Sequence, residues 1–63
     1  MNEYIKQLEE VRAGLVSKRR AHAHNTANKG SGMDSVGGLV ETQAKIEVVD
    51  RAIADERALA SSV

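Results

Sequence analysis

The sequence contains no cysteine, proline, tryptophan or phenylalanine, and its one aromatic residue is Tyr4. Without cysteine there is no disulfide framework and no thiolate metal site. Without proline no residue forces a kink into a long helix. No apolar run reaches the roughly 18 residues a membrane span needs. The start, Met1-Asn2-Glu3-Tyr4, lacks the basic-then-apolar pattern of a signal peptide. The expectation is a protein of the cytoplasm or of a viral particle, not a secreted or membrane protein. Net charge is also missing: nine Lys+Arg balance nine Asp+Glu. That removes the simplest electrostatic argument for a nucleic-acid partner, and one aromatic ring leaves almost nothing for bases to stack on.

What remains is 63 residues, read as a single domain over 1–63, with 17 large apolar residues and nine alanines. Chains this small and this poor in aromatics rarely bury enough surface alone. They need disulfides, a metal or a partner. With cysteine absent and metal ligands poorly placed, oligomerisation or docking on something larger is the expected remedy.

The chain reads as all-α: two antiparallel helices, over about 2–28 and 34–61, joined by a Gly-rich turn. Asn2 is a plausible N-cap, with Glu3 in the first turn where a carboxylate suits the helix dipole. Helix formers dominate up to Ala23, and Asn25-Thr26-Ala27-Asn28 weakens the propensity ahead of Lys29-Gly30-Ser31-Gly32. Ser31 and Asp34 have capping-box spacing. Gly37-Gly38 weakens the next turn by about 1 kcal/mol per glycine. From Leu39 to Leu59 the helical pattern is strong.

The periodicity predicts how the helices meet. Met1, Tyr4, Leu8, Val11 and Leu15 follow heptad spacing, continued by Lys18 and His22. Leu39, Thr42, Ile46, Val49, Ile53, Glu56, Ala60 and Val63 do the same. Antiparallel layering then pairs Leu15 with Ile46, Val11 with Val49, Leu8 with Ile53, Tyr4 with Glu56 and Met1 with Ala60. All of these pairs place the reversal at Gly30-Ser31, the turn chosen independently from composition. Ile5, Val40 and Val48 flank the seam and widen the apolar face beyond what two helices cover. The expected protein interface is therefore Ile5, Leu8, Val11, Leu15, Val40, Ile46, Val48, Val49 and Ile53. It suits a dimeric four-helix bundle or docking in a larger assembly.

Neutrality hides two opposed halves. Residues 1–29 carry six basic and three acidic side chains, and residues 30–63 the reverse. Antiparallel folding sets them against each other, with Arg12–Glu47 and Arg20–Glu41 as expected neighbours.

The remaining features carry little chemistry. Lys18, Arg19, Arg20, His24 and Lys29 form the one dense basic cluster and could contact nucleic-acid phosphates, but successive residues fan out around a helix and make no flat face. His22 and His24 stand two apart, not at the four-residue spacing a helical metal site uses. Lys29-Gly30-Ser31-Gly32 matches no phosphate-binding motif. No catalytic residues, metal site or cofactor is expected. The favoured function is a non-enzymatic structural or interaction protein, a self-associating or docking hairpin such as a minor viral-particle component. The alternatives are a small dimeric nucleic-acid-binding regulator and an adaptor or inhibitor of a partner enzyme.

Overall fold

The computed structural model describes residues 2–29 and 33–61, with side chains at all of these except 29 and 33–35. Two helices run α1 (Glu3–Lys29) and α2 (Met33–Ser61) and pack against each other as a hairpin. Their bounds agree with the expected ones to within one residue. The predicted reversal at Gly30-Ser31, and the Ser31–Asp34 capping box, fall outside the described residues.

The start of α1 follows from its sequence. Asn2 Oδ1 accepts the backbone N–H groups of Tyr4 at 2.9 Å and Ile5 at 3.2 Å, satisfying two of the donors that every helix start leaves open. Toward the other end of α1 two side chains bond back one turn: Thr26 Oγ1 donates to the His22 carbonyl at 2.9 Å, and Asn28 Nδ2 to the His24 carbonyl at 2.8 Å.

The helices are antiparallel. Glu9 meets Arg57, Arg12 meets Asp50 and Arg19 meets Gln43, while His22 lies against Gly38. The midpoints of these four pairs fall between residues 30 and 33, in line with the register read from the heptads. The result is a rod of 50 × 15 × 11 Å. Its radius of gyration is 14.8 Å, where a compact chain of this length would have about 11 Å.

The α2 side of the seam is as predicted from Leu39 to Glu56, whereas Ala60 is exposed and Met1 and Val63 lie outside the described residues. Thr42, Ile46 and Ile53 are buried, and Leu39, Val49 and Glu56 half-buried. The α1 side differs. Tyr4 and Val11 are 66% and 52% exposed, and Lys18 is exposed as well. The half-buried positions of α1 are Ile5, Leu8, Arg12, Leu15, Val16, Arg19, His22, Asn25 and Thr26. Thus α1 is rolled so that Ile5, Arg12 and Arg19 replace Tyr4, Val11 and Lys18, while Leu8, Leu15 and His22 keep their places. The reason is reach. Arginine stems cover apolar surface while their guanidinium groups extend to polar partners, so two arginines on the seam close it better than their charge suggests.

Candidate functional site

The roll of α1 gives the hairpin two unlike sides. On one side the helices are laced across. Arg12 donates from Nε and Nη2 to both oxygens of Asp50. Arg19 donates to Gln43 Oε1 at 2.9 Å, and Gln43 in turn donates to Glu47 Oε2 at 3.2 Å. Arg57 donates to Glu9 at 3.2 Å. Asp50 thus replaces the expected Glu47 as the partner of Arg12, and the expected Arg20–Glu41 approach makes no ion pair. Asp50 and Gln43 face the rolled α1, while Arg20 points outward and meets no acceptor among the described residues. The Asp50 hydrogen bond, followed by the Asp50 charge, holds the Arg12 guanidinium above its ordinary pKa, with a smaller opposing effect from lost hydration.

The other side is an open apolar groove. Its central stretch is lined by Val11, Leu15, Ala44, Val48 and Val49, with Glu41 and Lys45 at the edge. Beyond Val11 it continues past Tyr4, Leu8, Ala52, Asp55 and Glu56. Among the described residues no ion pair or hydrogen bond crosses this side. Its one ion pair, Lys45–Glu41 at 3.3 Å, stays within α2, with the acid N-terminal to the base as a helix prefers. Tyr4 and Glu56 share the groove, yet the Tyr4 hydroxyl makes no hydrogen bond among the described residues.

The nine predicted interface residues therefore separate into three groups. Ile46 and Ile53 are consumed between the helices, and Ile5, Leu8, Leu15 and Val49 are half-covered by the same packing. Val11 and Val48 are exposed together in the groove, Val48 at 68%. Val40 stands apart, on the laced side with Arg19, Leu39 and Gln43. The expected common face of Ile5, Val40 and Val48 does not exist: helix rotation assigns the three to the seam, the laced side and the groove.

The basic cluster is likewise dispersed. Arg19 is committed to Gln43. His24 Nδ1 lies 3.2 Å from Asn28 Nδ2. Lys18 and Arg20 are exposed, and the Lys29 side chain is outside the described residues. His22 is packed against the Gly38 backbone so closely that a Cβ at Gly38 would come within 2.7 Å of the imidazole. No group of three or more acidic or histidine side chains suited to a metal occurs among the described residues. No described helix is long and apolar enough to cross a membrane. The groove is the feature sequence reasoning located only in part. Its wide apolar face was legible, but the side it occupies depends on a rotation of α1 that hydrophobic counting cannot see.

Comparison with family models, curated proteins and solved structures yields no match for the chain, so its chemistry must be read from this geometry.

Proposed function

We propose that the chain is a non-enzymatic interaction protein, a helical hairpin that works by burying its open groove against another protein surface. That surface belongs to a homo-oligomeric bundle or to a larger assembly, of which a viral particle is one instance. The observation that carries this reading is the exposure of Val11 and Val48 on one side of a hairpin whose described residues bury only two apolar side chains, Ile46 and Ile53. So small a core is a poor basis for an independent fold. The groove offers shape and apolar area, with little directional polarity. The nucleic-acid reading has thinner support, because one of its arginines is already paired and the single tyrosine lies at the far end of α1 from the exposed bases Lys18 and Arg20.

The test is sedimentation equilibrium of the whole chain and of two variants. Wild type and Val40→Asp are expected to associate at micromolar concentration, and Val48→Asp to lose association by roughly tenfold or more, as a buried charge without a partner dictates. A fully helical monomer that is indifferent to Val48→Asp overturns the reading.

A further inference from the structure

We propose that the surface covering the groove is a second copy of this chain, related by a twofold axis parallel to the helices. This rests on the interaction reading above and goes further by fixing partner and geometry.

The first support is area. The hairpin exposes 4749 Å², whereas a compact monomer of 6.8 kDa exposes about 4,000 Å² by surface–mass scaling. The excess, roughly 750 Å², is close to the area of about 800 Å² that each partner gives up in a standard interface. One copy of an equally slender rod supplies a surface of matching length.

The second support is the charge pattern along the rims. On α1 the groove edge is Tyr4, Val11 and Lys18, seven residues apart. On α2 it is Asp55, Val48 and Glu41, seven apart in reverse. Heptad spacing keeps each triplet on one stripe of its helix. The antiparallel register brings Tyr4 within a turn of the level of Asp55, Val11 of Val48 and Lys18 of Glu41. A twofold axis along the groove preserves level and exchanges the helices, so α1 of one copy lies over α2 of the other. Val11 then meets the second copy's Val48, Lys18 its Glu41 and the Tyr4 hydroxyl its Asp55 carboxylate. A twofold interface makes each of these contacts twice. None of the ion pairs among the described residues uses Lys18, so its charge is available. An axis perpendicular to the helices would instead set Glu41 against Asp55 and Lys18 against Tyr4, placing like charges opposite each other. With either axis every adjacent helix pair is antiparallel, as in an up-down four-helix bundle, so the rim charges decide between them.

A charge-swap experiment decides the matter. Lys18→Glu puts two acids opposite each other at both symmetry-related contacts, and Glu41→Lys puts two bases there. Each variant alone is expected to dimerise on the order of tenfold more weakly than wild type. An equimolar mixture of the two is expected to recover dimer mass by sedimentation equilibrium and helicity by circular dichroism. Every contact between the two chains then joins opposite charges, whereas positions 18 and 41 within each chain stay alike. Recovery on mixing thus cannot come from contacts inside a hairpin, and it remains readable even where a weakened dimer costs the single variants their helicity. A wild-type dimer with no gain on mixing overturns this packing and leaves the interaction reading standing. A wild-type chain that is a helical monomer overturns both.

Discussion

The two sides of this hairpin are built from the same two helices and differ in almost every physical respect. One is closed by arginines that reach over the seam to Asp50, Gln43 and Glu9. The other leaves Val11 and Val48 in the open, with no polar group bridging the helices among the described residues. Exposed ion pairs contribute little to stability, about 0–1 kcal/mol each. Two of them on one side, with the Arg19–Gln43 hydrogen bond, therefore do something other than hold the rod together. They fix the register and the roll of α1, and in doing so they decide which apolar side chains face outward. The polar side specifies; the apolar side stays open.

That contrast can be broken at its shared foundation first. Ile46, 1% exposed, supports both sides. Ile46→Ala is expected to cost about 2–5 kcal/mol, the largest effect of any single change here, and to remove helicity and association together in a urea titration. Retained helicity with lost association would mean that the core is elsewhere.

A finer test uses adjacent glycines. Gly37 has open space where a Cβ would go, while at Gly38 the His22 ring fills it. Gly37→Ala is expected to stabilise by about 1 kcal/mol through helix propensity. Gly38→Ala is expected to gain less than Gly37→Ala, because the His22 ring must first move aside, and His22→Ala combined with Gly38→Ala should recover the full propensity gain. Thermal melts of the four proteins read this directly, and equal shifts for the two glycine variants would refute the close approach.

The smallest effect belongs to the laced side. Arg12→Met keeps the aliphatic stem and loses the Asp50 hydrogen bonds. A slight fall in melting temperature is expected, shrinking as salt screens the wild-type pair. The pH sign follows from the raised arginine value. The contribution of the pair through Arg12 is complete at neutral pH, below the unfolded value, and is lost only as strongly alkaline pH passes the folded one. A variant that melts well below wild type even in high salt would show that the arginine does more than set register.

The helices, their bounds and their register were legible because each had more than one local cause. Asn2 caps one end, glycines interrupt the middle, and the 3–4 spacing of Leu39 to Glu56 permits a single inward face. The roll of α1 was not legible, since two adjacent stripes compete. Tyr4 and Val11 favour one by hydrophobicity, while Ile5, Arg12 and Arg19 favour the other by reach across to acceptors on α2. Hydrophobic patterning gives no weight to the methylenes of arginine, so it chose the wrong stripe, and with it the wrong partners for Arg12. The groove followed the same error: Val11 was assigned to the interior when it is the centre of the exposed side.

The slender outline of the hairpin bears on how its mass can be known. A particle of 50 × 15 × 11 Å has a large frictional coefficient for its mass and tumbles anisotropically. On a size-exclusion column calibrated with spherical standards, one such rod elutes early and imitates two. Side-by-side pairing thickens the particle without lengthening it, so the dimer comes off closer to its true mass than the monomer does. Elution volume therefore compresses the very difference that matters, and light scattering or equilibrium sedimentation, which are blind to shape, must count the chains.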